Sequence, residues 1–361
     1  MFPIQTELSE TERQPRRKMK GGEDLTQDDC THEDPTTTTT TTTVSRAVSE
    51  VQNRTECDEN IQTFVKALLS RGVGGLREEY AEKCKEIQAD LVPKKDCKNF
   101  FANPSKNRYK DVLCGDLNRV ILRERKFYNY IHANIVGTPL NLKRFICAQG
   151  PLPTTVNDFL LMIWQERCEF IVMLCNFIEN GKVKCLEYFP LTQGAEKRYD
   201  EYVITCKEAR QIFLPAAVTY RVLQIKRTGE PARIIKHYQW GTWPDRGVPP
   251  SDDSLLFLLS KFGVTSSSLP ILVHCSAGIG RTGSFVLIQM SIDILENGGN
   301  LDNGCGNIFL QLRKIRLGAV QTEKQYLFVH RLLLHYFLPE GMIDSQVVQQ
   351  LAMEYDRVVA T

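Results

Sequence analysis

The sequence predicts a single α/β domain in which helices flank a twisted, mixed β-sheet, preceded by a disordered extension. From Tyr109 onward, short apolar runs bounded by turn residues follow one another, and longer segments with helical spacing lie between them. Such interleaving is typical of a sheet covered by helices. The chain has 361 residues, 42% of them hydrophobic, which is ample for one large core. We expect the domain at 60–340, between a disordered segment, 1–55, and a short C-terminal tail, 341–361.

The first 55 residues have a polar and biased composition. Consecutive threonines occupy Thr36–Thr43, and acidic clusters flank the basic run Arg16–Lys18. No apolar periodicity runs through this segment. Because such a composition cannot bury enough apolar surface to offset the loss of conformational entropy, we predict disorder. We interpret the basic run as a solvated charge cluster in preference to a localisation signal.

Apolar spacing predicts the secondary structure of the domain. Helical spacing begins near Ile61, is broken by Gly72, Gly74 and Gly75, and resumes over Leu76–Ala89. The further predicted helices are Val156–Arg167, Ser254–Phe262, Thr282–Glu296 and Glu323–Phe337. The predicted strands are Arg119–Leu122, Phe145–Ala148, Phe170–Leu174 and Pro270–Val273.

Composition argues against several classes of protein. The formal net charge of +2 gives no electrostatic reason to expect nucleic acid as a partner. No uncharged apolar run approaches the ~18 residues of a membrane span, and the first residues do not resemble a signal peptide. The 12 cysteines include no Cys-x-x-Cys pair, so we expect neither a metal site nor a disulfide framework. We therefore expect a reducing compartment, cytoplasmic or nuclear, and no cofactor.

The stretch most indicative of chemistry is Val273–Gly283, where an apolar strand enters and an apolar helix leaves. Between Cys275 and Arg281 the chain is rich in small residues, namely Ser276, Ala277, Gly278, Ile279 and Gly280. Such a loop turns its backbone N–H groups inward to form an anion-binding nest, and the following helix N-terminus adds positive charge. Arg281 adds a planar fork that binds two phosphate oxygens at once.

A cysteine at the mouth of this nest is suited to nucleophilic attack. The thiolate is the reactive form, and nest, helix terminus and guanidinium all stabilise negative charge. We expect Thr282 to donate its hydroxyl to the sulfur when the thiolate departs. An ordinary glycine-rich turn would leave the spacing from Cys275 to Arg281 unexplained, and a Walker loop requires a Gly-Lys-Ser/Thr triplet that does not follow here. A sulfur carrier of the rhodanese type would not need the partner motifs described next.

The segment His274–Gly283 resembles the signature loop of phosphotyrosine-specific protein tyrosine phosphatases. The resemblance extends from about Phe100 to Phe337, with several motifs in the family's order. It implies a divergent, non-receptor enzyme without metal that hydrolyses phosphotyrosine in proteins through a phosphocysteine intermediate. In that reaction Cys275 is the nucleophile, and His274 tunes the thiolate without transferring a proton.

The segment His237–Pro249 resembles the family's mobile Trp-Pro-Asp loop, with Trp243 as its anchor. Phenolate is a poor leaving group, so an acid must deliver a proton as the P–O bond breaks. The resemblance assigns this proton to Asp245. Without the Cys-Arg loop, a Pro-Asp-x-Gly sequence would indicate no more than a turn.

Three further segments complete the resemblance. In Lys106–Val112 the matching tyrosine packs on the substrate ring and sets the pocket depth, while the matching aspartate holds the peptide backbone. In Val320–Tyr326 one matching glutamine orients the hydrolytic water and a second lies nearby. In Ile178–Cys185 a glutamate braces the loop arginine and a lysine approaches the acid. The resemblance therefore predicts that Tyr109 sets the pocket depth and that Asp111 holds the peptide backbone. It predicts that Gln321 orients the water, with Gln325 nearby. It also predicts that Glu179 braces Arg281 and that Lys184 approaches Asp245.

The chain departs from the family pattern at His132 and Ile135, where the family usually has Asn and Tyr, and at Leu160, where it usually has Trp. These are scaffold positions, so they mark a divergent member without removing a catalytic group. Two alternatives remain open at this point. One is a pseudophosphatase that binds phosphotyrosine, although Cys275, Arg281 and Asp245 are all present. The other is a phosphatase for other phosphoesters, against which the Tyr109 segment argues.

Overall fold

A computed structural model gives the structure of the protein over residues 39–139, 141–212, 218–262, 269–301, 304–338 and 346–360. Its side chains are described from residue 57 onward, except for Lys94 and Val347. The contact pattern divides the chain into residues 1–48 and residues 49–361, and the second unit contains the sheet and the candidate site. The disorder predicted for residues 1–38 lies outside the described residues.

The described strands form a large mixed sheet and a small hairpin. The sheet strands are β1 Arg119–Ile121, β2 Tyr130–Val136, β3 Phe145–Ala148, β4 Phe170–Met173, β7 Glu196–Tyr199, β8 Tyr202–Ile212, β9 Val218–Arg227, β10 Arg233–Trp240 and β11 Ile271–His274. The hairpin strands are β5 Ile178–Glu179 and β6 Lys182–Val183. Across the sheet the order is β1-β2-β3-β11-β4-β10-β9-β8-β7.

The centre of the sheet is parallel and its flanks are antiparallel. Strand β11 pairs in parallel with β3 and β4, and β4 pairs in parallel with β10. All four residues of β3 and of β11 are buried, as expected for central strands covered by helices on both faces. The signature loop leaves the carboxyl end of β11, where open α/β sheets bind their ligands.

The described residues also form nine α-helices. They are α1 Thr39–Asp90, α2 Pro93–Asp96, α3 Lys98–Ala102, α4 Val156–Gln165, α5 Asp253–Lys261, α6 Gly280–Leu295, α7 Gly306–Ile315, α8 Glu323–Phe337 and α9 Gln346–Ala360. Every residue of α6 is buried, so this helix forms the centre of the core beneath the signature loop. None of the described helices is both long and apolar enough to cross a membrane.

The predicted class and most predicted elements are confirmed. The four predicted strands agree with the structure within one residue at each end, and the helices over α4, α5, α6 and α8 agree within two. Strands β2 and β7 to β10 and helices α2, α3 and α7 were not predicted from the sequence. Strand β8 alternates buried and exposed positions and carries charged residues outward, so it lacks the continuous apolar run that identified the central strands.

The predictions for both terminal segments and for the glycine breaks in α1 differ from the structure. The backbone is helical from Thr39, although residues 39–55 were expected to be disordered, since a packed helix extends at little cost once it has nucleated. Gly72 interrupts α1 with φ of 62°, whereas the expected breaks at Gly74 and Gly75 are helical. The expected C-terminal tail contains α9, whose Leu351 and Tyr355 lie one helical turn apart and are buried.

Candidate active site

The signature loop holds the thiol of Cys275 at the point where β11 gives way to α6. The side chain is buried, and the backbone N–H of Gly278 donates to its sulfur at 3.2 Å. Gly278 has φ of 70°, and a Cβ added there would lie 2.1 Å from the carbonyl oxygen of Ala148. Only glycine fits this position, because both the left-handed backbone and the lack of space exclude a side chain.

Arg281 lies at the first turn of α6 and is almost fully buried. Its two terminal nitrogens donate to both carboxylate oxygens of Glu179, at 2.7 and 3.0 Å, and one also donates to the carbonyl of Trp243 at 2.9 Å. Burial lowers the pKa of Arg281, but the hydrogen bonds that it donates to Glu179 outweigh this effect and hold the pKa above its usual value. The Nε–H of Arg281 is buried without a partner, so one donor remains for an incoming anion.

The acid-bearing loop is closed over the site. Trp243 is buried against Trp240 and Phe328, and its indole N–H donates to the carbonyl of Gly247 at 2.9 Å. This anchoring brings Asp245 to 3.6 Å from Arg281. The carboxylate that was identified as a proton donor therefore faces the same space as the loop arginine.

Three nearby cations lower the pKa of Asp245, namely Lys184, Arg281 and Arg246. Lys184, on the hairpin side of the site, contacts its carboxylate at 2.7 Å. Partial burial raises the pKa of Asp245, but the hydrogen bond from Lys184 and the charge of Arg281 outweigh that effect and lower the pKa below its usual value. This carboxyl group is consequently ionised at neutral pH.

The segment Lys106–Val112, called the substrate-recognition segment below, forms one wall of a cavity of about 460 Å³ at the mouth of the signature loop. The Tyr109 hydroxyl hydrogen-bonds the Ser276 hydroxyl at 2.8 Å, and Ser276 donates to the carbonyl of Lys184 at 2.9 Å. Seven of the residues that were predicted for the site line this cavity together, namely Tyr109, Asp111, Lys184, Asp245, Ser276, Ala277 and Gln321.

The two glutamines lie at the start of α8, beside the signature loop. The side-chain oxygen of Gln325 accepts from the backbone N–H of Gln321 at 3.0 Å, and its amide donates to the carbonyl of Gly247 at 3.3 Å. A Cβ added at Gly280 would lie 3.1 to 3.2 Å from both glutamine side chains. The glutamines therefore lie between the acid-bearing loop and the signature loop.

Two predicted residues flank the nucleophile. His274 is buried, with Nε2 at 2.9 Å from the Tyr188 hydroxyl and Nδ1 at 3.3 Å from the carbonyl of Cys275. Burial lowers the pKa of His274 to about 4, so the ring is neutral at physiological pH. The hydroxyl of Thr282 is buried without a hydrogen-bond partner, and the expected bond to the sulfur is not formed in this state.

A buried polar cluster beneath the loop was missed by the sequence analysis. Arg316 donates to the carbonyls of Gly278 and Ala277 at 2.9 and 3.0 Å, and to the side-chain oxygen of Asn134 at 2.9 Å. Two residues before Asn134 on the same strand, His132 contacts the carbonyl of Val112 at 2.9 Å. Burial lowers the pKa of His132 to about 3, so Nε2 must carry the proton that this carbonyl accepts.

These residues gave little sequence signal. Arg316 ends the run Arg313–Arg316, which is indistinguishable from a solvated basic helix end. The departure at His132 was noted, but its contact is long-range and therefore invisible in local sequence. The cluster joins the substrate-recognition segment to the phosphate loop through the interior of the domain.

The site combines a buried thiol, a buried arginine and a carboxylate, and comparison with known proteins identifies the family. The family model for protein-tyrosine phosphatase matches residues 103–335. The solved catalytic domain of human protein tyrosine phosphatase non-receptor type 18 aligns with a TM-score of 0.67 and 30% identity, over 76% of this chain and 100% of that one. The chain belongs to the protein-tyrosine phosphatase family.

Curated relatives carry the same class of name. Human tyrosine-protein phosphatase non-receptor type 9 is 34% identical over 307 residues, covering 79% of this chain and 50% of that protein. A Lar-like tyrosine-protein phosphatase of Caenorhabditis elegans is 39% identical over 235 residues, covering 63% of this chain and 10% of that protein. The chain thus spans between a tenth and about half the length of these two relatives.

Proposed function

We propose that this protein hydrolyses phosphotyrosine in proteins through a phosphocysteine intermediate. The observation that carries the proposal is the convergence of three groups on one buried site: the thiol of Cys275, the unpaired Nε–H of Arg281 and the carboxylate of Asp245. A phosphoryl group between them meets a nucleophile, an anion ligand and a proton donor. This set is what displacement at phosphorus with a phenol leaving group requires.

In the first step the thiolate of Cys275 attacks phosphorus, the S–P bond forms, and the P–O bond to the phenol breaks. Asp245 gives its proton to the departing oxygen, so tyrosine leaves as a neutral phenol. The bound phosphate brings negative charge between Arg281 and Asp245. Because a nearby anion disfavours the ionised carboxylate, the substrate offsets the lowering of the Asp245 pKa by Lys184 and Arg281.

In the second step water attacks the phosphocysteine. Asp245, now ionised, accepts a proton from water, and Gln321 orients that water because its amide both donates and accepts. The P–O bond to water forms, the S–P bond breaks, and inorganic phosphate leaves. The Thr282 hydroxyl, which is buried and has no hydrogen-bond partner in the protein, is then available to donate to the departing thiolate.

Selectivity for phosphotyrosine follows from the wall that carries Tyr109. Its hydroxyl is tied to Ser276, which supports a fixed ring at the mouth of the cavity. A shorter phosphoserine or phosphothreonine would not reach the sulfur past this ring. The type 18 phosphatase has been solved in complex with phosphotyrosine peptides, and its 32% identity over 73% of this chain supports the same substrate class here. We assign the enzyme to the cytoplasm or nucleus, as the unbridged cysteines of the described residues and the non-receptor relatives suggest.

A paired-peptide assay tests this function. The purified chain is given a phosphotyrosine peptide and its phosphothreonine twin, with Cys275→Ser protein as the background. We expect phosphate release from the phosphotyrosine peptide alone. Equal release from both peptides would contradict the selectivity assigned to Tyr109, and release no faster than that of Cys275→Ser would identify a binding protein in place of an enzyme.

A further inference from the structure

A second cavity, of about 560 Å³, lies away from the catalytic pocket. Its walls come from the end of α1, from α2 and the start of α3, from residues 115–117 and from the end of α7. Its apolar lining is supplied by Ile87, Leu91, Leu117 and Leu317. A volume of this size is in the range of sites for small organic ligands.

The floor of this cavity is a small hydrophobic cluster that is separate from the main core. Ile87 and Leu317 belong to it, together with Phe100 and Tyr130. Protein interiors are close-packed, so an open volume beside such a small cluster leaves apolar surface without partners. Leu117 is 57% exposed at the rim. An apolar ligand body would cover this surface.

The rim carries three aspartates and three lysines, and the aspartates are the better partnered of the two groups. Asp116 accepts from the side chain of Asn99 at 2.8 Å, and Asp96 accepts from the backbone of Val92 at 2.8 Å. Asp90 lies 3.7 Å from Lys314. The carboxylates therefore have partners within the protein. The cavity is also lined by Lys95 and Lys98, and no carboxylate of the described residues forms an ion pair with either lysine.

One wall of the cavity is tied to the phosphate loop. The carbonyls of Gly115 and Leu117 both accept from the side-chain amide of Asn134, at 3.0 Å each. The oxygen of Asn134 accepts from Arg316, which holds the carbonyls of the signature loop. A ligand that orders residues 115–117 thus acts on the anchor of the loop that binds phosphate.

We propose that this cavity binds an amphipathic organic anion, with an aliphatic body on the leucines and its head between Lys95 and Lys98, and that its occupancy strengthens phosphate binding at the signature loop. The two sites share the segment 109–117 and the Asn134–Arg316 connection. A ligand that fixes residues 115–117 also fixes the carbonyls that hold Asn134, and through Asn134 it steadies Arg316 under the signature loop, which gives positive coupling.

Calorimetry with dodecanoate, below its micelle concentration, tests the site on the full chain. We expect saturable binding of one molecule, and about 5-fold weaker binding of uncharged dodecanol, as two exposed ion pairs allow. Leu117→Asp should abolish binding, whereas Leu142→Asp, at another exposed leucine outside the cavity, should leave it unchanged. Equal effects of the two substitutions, or equal binding of acid and alcohol, would overturn the proposal.

Vanadate separates the cavity from the catalytic pocket. Dodecanoate should still bind when vanadate saturates the signature loop, and displacement by vanadate would mean that the fatty acid enters the catalytic site. Saturating dodecanoate should tighten vanadate binding by about 5-fold, at the lower end of usual allosteric coupling. An unchanged vanadate affinity would overturn the coupling. Because these are binding measurements, they do not depend on turnover and stand apart from the proposed activity.

Discussion

The two sides of the site, to which we assign phosphate binding and proton donation, are held by different kinds of contact. The signature loop is fixed by buried hydrogen bonds to its backbone, with Arg316 on its underside. Asp245 is 38% exposed and is held by ion pairs to Lys184 and Arg281. Contacts of the first kind are lost only when the core is disturbed, whereas exposed ion pairs form and break at little cost.

This difference fits the chemistry that we propose for each side. A nest for phosphate must be preformed, because its dipoles help only if they do not reorganise during the reaction. An acid on a loop must admit the substrate, close over it and release the product. We therefore expect substitutions of the groups that hold phosphate to act on both binding and turnover or on stability, and loss of the nucleophile to act on turnover alone. Substitutions on the acid side should act mainly on proton transfer.

Removal of the nucleophile gives the largest expected effect. Cys275→Ser should abolish turnover, because no phosphocysteine can form, while phosphopeptide binding survives through the nest and Arg281. Turnover is measured by phosphate release and binding by calorimetry with a phosphotyrosine peptide. Arg281→Lys is the matched variant, since an ammonium lacks the bidentate fork, and it should lose both properties. Residual turnover of Cys275→Ser at a few per cent of wild type would end the covalent mechanism.

Removal of the acid comes next. Asp245→Ala should slow hydrolysis of phosphotyrosine by ~100 to 10,000-fold, the usual contribution of a general acid. The loss should be much smaller for a nitrophenyl phosphate, whose leaving group carries negative charge unaided. Parallel assays on the two substrates measure the contrast. An equal loss on both would mean that the loop only shapes the pocket, and Asp111 would then be the first alternative donor to examine.

The anchor beneath the phosphate loop should be the next most sensitive position. Arg316→Lys cannot hold both loop carbonyls at once, and a small misplacement of the reacting groups lowers kcat/KM by up to about 100-fold. Arg144→Lys is the control, because Arg144 is equally buried but bonds Asp293 and Phe262 away from the site. We expect both variants to lower Tm and only Arg316→Lys to lower kcat/KM of the folded protein. Parallel losses of activity would reduce Arg316 to a general core residue.

The extent to which sequence predicted this molecule follows from the range of the contacts involved. The signature loop lies within a few consecutive residues, so its small residues, cysteine and arginine could be identified together. The central strands, such as Ile271–His274, are continuous apolar runs and were equally visible. The contacts of Arg316 with Asn134 and Gly278 join residues that are far apart in the chain, and no local pattern distinguishes a buried arginine from an exposed one.

Departures from the family pattern illustrate the same limit. His132 was seen to be unusual, but its bond to the carbonyl of Val112 depends on how β2 lies against the substrate-recognition segment. His132→Asn, which restores the usual family residue, shortens the side chain and should leave this buried carbonyl without its donor. We expect KM for a phosphotyrosine peptide to rise several-fold with kcat nearly unchanged, as the cost of a lost buried hydrogen bond is about 1 kcal/mol or more. A fall in kcat with constant KM would contradict this positioning role.

The smallest expected effect is also the most specific for the acid side. Lys184 donates to the carboxylate of Asp245 and, with Arg281, lowers its pKa. In Lys184→Ala that pKa should rise toward its ordinary value, because one stabilising cation is lost. Asp245 must be protonated to act as the acid, so the falling alkaline limb of kcat/KM should move to higher pH, with a change of only a few-fold at the optimum. Lys182→Ala is the control, since Lys182 lies on the same hairpin but is not among the cations that act on Asp245. If the alkaline limb stays in place in Lys184→Ala, or moves equally in both variants, the ion pair does not set the pKa of Asp245. The difference in contacts between the signature loop and the acid-bearing loop would then have no effect on proton transfer.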